Sequence, residues 1–423
     1  MLIINHVSDC KTRFLKAIIA GAIALLVCVI LKDRIYYDSL FNAAQYSEWG
    51  ISEWMINYQG GFVRRGLIGQ ILWLIVKYTS SNPILLIKTI SLISAFGFLF
   101  VVFRIFTYER WSLFILPLGC CFYYTLFSTW SRKDFIILLL CLAVFKSFKK
   151  YLITKSFPWL LIFWLFSATM LLSHEASFFY TYPIILAYSY SFYRSGARKW
   201  LPSICLAALP IIFLMATVCF FKGDPSIAKD VWSSWNGSFA SFPDLNGSVF
   251  DNSHIGTGVN ALSWSTSATV KFHISKNFPN VLTIFLTCWM FVAYFFIVSQ
   301  MNTVYLSFSP LEGDKRRDKI SKVLLLQALF MLPLFTILSC DTGRTLSWWV
   351  FSSLFAVHVF GDLRISSVER CSVAWLNIYD KIANGHKLVY FVLLLTVPFT
   401  MVNGPILDNI WLYRMIKYLA LKL

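Results

Sequence analysis

The chain has 423 residues, of which 58% are hydrophobic and only 13% charged, where a soluble protein carries roughly a quarter. With a mean hydropathy of +0.67, this apolar surplus excludes a water-soluble enzyme and points to an all-α, polytopic membrane protein. The net charge of +17 lies in short basic clusters between apolar runs, a pattern of membrane topology and anionic headgroups, so no nucleic-acid partner is expected.

A spanning helix needs about 20 mainly apolar residues. Eleven stretches meet that pattern: 16–32, 84–103, 112–130, 134–148, 158–173, 176–193, 202–221, 279–300, 321–340, 345–361 and 388–405. The first lacks a small-residue cleavage site and reads as a retained helix. Cys28, Cys120, Cys121, Cys141, Cys205, Cys219 and Cys288 fall inside apolar runs and read as small buried hydrophobes rather than a disulfide framework. No internal repeat or low-complexity linker divides the chain, so residues 1–423 read as one membrane domain.

Basic residues in short loops mark the cytoplasmic side. The anchors are Lys146, Lys149, Lys150 and Lys155, then Arg194, Arg198 and Lys199, then Lys315, Arg316, Arg317 and Lys319, with Lys11, Arg13 and Lys16 placing the N-terminus inside. Counting crossings from these anchors makes 33–83 one long external loop. Its apolar stretch 67–78 is then an interfacial or re-entrant helix. The alternative makes 67–78 a true span and reverses some following helices. A second external loop covers 222–277.

This topology gathers four polar clusters on one external face. Arg64 and Arg65, flanked by Gly60, Gly61 and Gly66, suit a diphosphate clamp, because the guanidinium fork matches phosphate oxygens bidentately. The plainer reading makes them anchors, or counter-ions for Glu48 and Glu53. Arg132 and Arg344 add positive charge on the face where it is normally depleted. His174 and Glu175 stand where one apolar run ends and another begins; at a helix break both can face one cavity, and either can serve as a general base. The alternative pairs Glu175 with Arg132. Asp341 and Arg344, at i, i+3 spacing, either bridge one another or, if Thr342-Gly343 makes a turn, place a catalytic carboxylate and a guanidinium at a cavity rim. In 222–277, Trp232, Trp235 and Trp264 among Ser, Asn and Gly suit a lid that stacks on carbohydrate. No zinc spacing, phosphate-binding loop, dinucleotide fingerprint or nucleophile elbow occurs, so neither metal nor cofactor is expected.

The arrangement resembles the multi-spanning GT-C-type glycosyltransferases, and among them the bacterial O-antigen (Wzy-like) polymerases. Gly60-Gly61-Phe62-Val63-Arg64-Arg65-Gly66 with Asp341-Thr342-Gly343-Arg344 is similar to elements of membrane proteins of polysaccharide assembly. The resemblance implies a bacterial inner-membrane enzyme of lipopolysaccharide biosynthesis that joins isoprenoid-diphosphate-linked oligosaccharide repeat units on the periplasmic side. It also implies a chain-length regulator protein as a partner. Asp33, Asp38, Glu48 and Glu53 form no paired acidic motif in the first loop, unlike metal-dependent GT-C enzymes, which favours catalysis by positioned arginines and a base. The rivals are a single-sugar transferase using a lipid-phosphate donor, and a lipid-linked oligosaccharide flippase.

Overall fold

Apolar runs this dense have few ways to satisfy their backbone other than helix, and in the computed structural model every regular element among the described residues is helical. The structure describes residues 49–111, 131–194, 201–238, 257–278, 281–300, 310–339, 341–361 and 365–383, with a few single positions beyond. All lie in one compact unit, Gln45–Leu423.

In chain order the helices are α1 (Gly66–Thr79), α2 (Pro83–Glu109), α3 (Asp134–Thr154), α4 (Phe157–Ser173), α5 (Ser177–Arg194) and α6 (Leu201–Phe220). After these come α7 (Pro225–Ser233), α8 (Thr266–Asn277), α9 (Val281–Ser299), α10 (Pro310–Phe330), α11 (Thr342–Phe360) and α12 (Ser366–Ala383). Their starts are chemically marked. Asn82 accepts from the amides of Ile84 and Leu85, with Pro83 in the first turn, and Asp224 accepts from Ile227 ahead of Pro225.

Helices occupy eight of the eleven expected spans; 16–32, 112–130 and nearly all of 388–405 lie outside the described residues. Two of them, α2 and α6, are long and apolar enough to cross a membrane. Helix α11 sits at the centre, packed on α3, α5 and α10 and buried almost all round, its hydroxyl groups and Arg344 included. Cys141 is buried, but Cys205, Cys219 and Cys288 are exposed, so the reading of these three as buried hydrophobes is corrected: they face outward on α6 and α9.

Two expected loops are instead structured. In 33–83, α1 spans only about 21 Å at 1.5 Å per residue, short of a hydrocarbon core. It lies close against the single turn Glu53–Met55, because Gly69 lets the backbones meet: a Cβ there would fall 1.8 Å from the Ile56 carbonyl oxygen. In 222–277, α7 and α8 are regular helices.

Candidate functional site

The site is built where the N-termini of α3 and α11 meet the break between α4 and α5. At that break His174 is extended, with φ −164°, so the two adjacent side chains both turn into the cluster. The segment 57–66 covers this end. Its shape follows from short-range bonds: Gln59 N–H donates to Asn57 Oδ1 and Tyr58 N–H to Gln70 Oε1, while Arg64 N–H donates to the Phe221 carbonyl at the end of α6. Arg65 is left-handed, with φ 66°, a conformation that costs a non-glycine residue about 1–2 kcal/mol. It is held there by Lys133, whose buried ammonium donates to the Arg65 carbonyl at 3.2 Å.

Arg65 places its fork on Glu175, Nε to Oε2 at 2.7 Å and Nη2 to Oε1 at 2.6 Å, and Arg64 Nη1 reaches the same carboxylate at 3.3 Å. Arg344 Nε donates to both oxygens of Asp134 at 2.8 and 2.9 Å, and its guanidinium stacks 4.6 Å over Trp348. Trp348 donates to the same Asp134. Arg132 donates to Asp341 Oδ2 at 2.9 Å. With the buried Glu53 included, five basic side chains, Arg64, Arg65, Arg132, Lys133 and Arg344, face four carboxyl groups, Glu53, Asp134, Glu175 and Asp341.

Glu53 is the least expected member. It is fully buried, and neither of its oxygens accepts a hydrogen bond. Around Oε1 stand His174 Nε2 at 3.4 Å, Arg344 Nη2 at 3.6 Å and Arg65 Nη1 at 3.9 Å. Burial pushes its carboxyl upward, but these neighbours, Arg344 first, hold it well below the usual carboxylate range. Glu175 behaves alike: burial opposes, while Arg65 and Arg64 hold it low. Burial pushes Lys133 down to about 8. It also pushes His174 well below the ordinary histidine value, with Arg65 and Arg344 acting in the same direction, so His174 is neutral. The always-charged Arg344 Nη2 lies 3.2 Å from His174 Nε2, which makes Nε2 the acceptor and leaves the proton on Nδ1. That Nδ1 is buried and without a partner.

The structure thus brings together Arg64, Arg65, Arg132, His174, Glu175, Asp341 and Arg344, residues up to 280 positions apart, and reassigns several roles. Glu175 pairs with Arg64 and Arg65, not Arg132, and works as their counter-ion rather than as a free base. Asp341 and Arg344 do not bridge one another. Nor is Thr342-Gly343 a turn: both are inside α11, with Asp341 at its N-cap position.

Trp232 and Trp235 are corrected as glycan-stacking residues. They are 1% and 0% exposed, packed with Trp54, Met55 and Leu262 in an apolar core, and Trp235 Nε1 donates to the Met55 carbonyl. Only Trp264 keeps partial exposure, set edge-on to Trp49 and Phe272. Sequence reasoning places Lys133 and Asp134 only in the external cluster with Arg132, and Glu53 only as a counter-ion for Arg64 and Arg65, a pairing the structure keeps for Arg65 at 3.9 Å. The available signal for Glu53 was an acid amid Ile51, Trp54, Met55 and Ile56 in a chain with 20 acids against 37 bases. Among the described residues no group of three His, Cys, Asp or Glu is placed to hold a metal ion. No family model, curated protein or solved structure matches the chain.

Proposed function

We propose that the chain is a multi-pass membrane glycosyltransferase that joins isoprenoid-diphosphate-linked oligosaccharide repeat units at the periplasmic face of a bacterial inner membrane, as O-antigen polymerases do. The observation that carries this reading is the convergence of Arg65, Arg344, His174 and Lys133 around Glu53, a buried carboxylate whose oxygens accept no hydrogen bond. Such an orphaned group calls for an explanation, and a sugar hydroxyl supplies the donor it lacks. Membrane embedding is supported by α2 and α6 and by the outward apolar surface of α6, where Leu209 is 64% and Phe213 75% exposed.

In this reading the donor diphosphate meets Arg64 and Arg65 from the side where these two and Glu175 keep 15–23% exposure. The acceptor hydroxyl, aligned by a hydrogen bond to Glu53, bonds through its oxygen to the anomeric carbon, and its proton passes to an oxygen of the departing diphosphate, a stronger base than a carboxylate held this low. The anomeric carbon–oxygen bond to the diphosphate breaks, and its electron pair leaves with the diphosphate. The arginines and the His174 Nδ1–H stabilise the charge that builds there. Glu175 keeps both arginine forks aimed.

The test is the length distribution of surface lipopolysaccharide in a strain lacking the gene. Loss of the polymerase leaves one repeat unit and removes the ladder. Wild type restores the ladder, and Glu53→Gln and Arg65→Lys, expressed at equal membrane abundance, do not. Loss of even the one-repeat band would favour a flippase, and an intact ladder with changed sugar composition a single-sugar transferase.

A further inference from the structure

At the opposite end of the helices from the charged cluster lies α12, an 18-residue helix that crosses α10. Its register there is set by two ion pairs, Arg317 to Asp380 at 2.8 Å and Lys322 to Glu369 at 3.3 Å. One seam, Ser372, Leu376, Tyr379 and Ala383, is buried, with Tyr379 against Phe296 at the end of α9. The residue before each of these forms a second stripe, Cys371, Trp375, Ile378 and Ile382, about 100° further round at 3.6 residues per turn. This stripe is apolar and exposed: Trp375 is 42%, Ile378 47% and Ile382 69% accessible. Glu369, Arg370, Asn377, Asp380 and Lys381 dominate the remaining sector, with Val373 and Ala374 among them. The helix is therefore three-sided, one side on protein, one apolar and open, one polar.

Its charges prevent α12 from crossing a bilayer, and its open stripe is costly in water. We infer that α12 lies in the plane of the membrane interface, with Trp375, Ile378 and Ile382 inserted among the acyl chains of an anionic leaflet and the basic residues beside them against its headgroups.

The choice of occupant follows from charge. Lys149 donates to the Val359 carbonyl and ties the end of α3 to the end of α11, so the exposed Lys146, Lys150 and Lys155 belong to the same end as Arg370 and Lys381. Among the described residues there, Glu109 is engaged by His358, Glu369 by Lys322 and Asp380 by Arg317. A basic surface with a Trp- and Ile-bearing stripe matches an anionic lipid interface.

This inference rests on membrane embedding but not on the proposed chemistry. It is tested with the full chain, native cysteines replaced, in nanodiscs of phosphatidylcholine and phosphatidylglycerol. Nitroxides are placed singly on Trp375→Cys, Ile378→Cys and Ile382→Cys, on the polar-side Asn377→Cys and Lys381→Cys, and on Leu209→Cys and Phe213→Cys of α6. The expected result is a several-fold higher ratio of oxygen to nickel-chelate accessibility on the stripe than on the polar side, at one constant depth from 375 to 382. Nickel access to the stripe, or depth rising steadily along the helix, overturns the placement. Shielding from both reagents also overturns it, since residues 384–423, a second copy or another protein then covers the stripe. Water access at 209 and 213 instead overturns membrane embedding itself. As a second arm, a photoreactive benzophenone residue at position 378 of the otherwise unaltered chain should give phospholipid adducts; adducts with protein alone overturn the inference.

Discussion

At the scale of single residues, the charged cluster separates groups that look alike in sequence. Arg64 and Arg65 are neighbours, yet only Arg65 makes a two-pronged contact with Glu175. Arg65→Lys keeps the charge and loses the fork, so transfer activity should fall strongly at unchanged membrane abundance, while Arg64→Lys retains more. Equal, near-wild-type activity in both returns the pair to a purely anchoring role. His174 gives a pH signature. Its folded pKa lies well below the ordinary value, so below about pH 6.5 the unfolded chain binds a proton that the folded chain refuses, and stability declines as pH falls. The slope approaches about 1.4 kcal/mol per pH unit for one such group. The depressed Glu53 and Glu175 act in the same sense but only below about pH 4.5; His273, also lowered by burial, adds to the decline, and Asp134, raised by burial, opposes it. Melting of the detergent-solubilised protein from pH 7 to 5 should show the net decline, and His174→Gln should make it shallower than in the wild type. The arginines were legible in the sequence because positive charge is unexpected on that face. Sequence reasoning reaches Glu53 as a counter-ion for Arg65 but not the pairings of Glu175 or Asp134, because Arg65–Glu175 and Arg344–Asp134 join positions 110 and 210 residues apart and no local pattern encodes such pairs.

At the scale of elements, hydropathy located the helices well and failed for the segment 222–277. Its Ser, Asn and Gly content reads as loop, and its tryptophans read as a carbohydrate platform. The start signals were nevertheless present: Asp224-Pro225 and Ser265-Thr266 are N-cap sequences, and both side chains accept from amides three residues on. What they could not reveal is that α7 packs its tryptophans against the first loop, with Asn57 bonded to Ser234 and Trp73 to the Ser234 carbonyl. Trp235→Ala should therefore behave as a core truncation. It should destabilise the protein by about 3–5 kcal/mol, read as a lowered melting temperature and faster proteolysis within 222–277. Trp264→Ala, at a partly exposed position packed edge-on to Trp49 and Phe272, should lower the melting temperature less than Trp235→Ala does. A stable Trp235→Ala protein with lost activity would restore the stacking role.

At the scale of the whole molecule, charge is partitioned by end. One end holds a buried network in which arginines and carboxylates are matched nearly one to one; the other holds exposed lysines whose nearby acids are already paired. In the proposed reading, the positive-inside rule assigns the second end to the cytoplasm and the first to the periplasm. Helix packing makes the assignment all-or-none, since Arg132–Asp341, Arg344–Asp134 and Arg65–Glu175 tie the starts of α3 and α11 and the α4–α5 break into one surface. Single cysteines at exposed Lys222 and Lys229, in a background without native cysteines, should thus react with an impermeant maleimide in intact, outer-membrane-permeabilised cells. Those at Lys150 and Lys155 should react only after lysis. The reverse pattern would turn the molecule over and place the cluster in the cytoplasm, where nucleotide-activated sugars are the available donors and a preformed isoprenoid-diphosphate glycan no longer explains the arginines. Labelling at both ends in intact cells would instead break the link between packing and topology, and with it the argument that the four clusters serve one site.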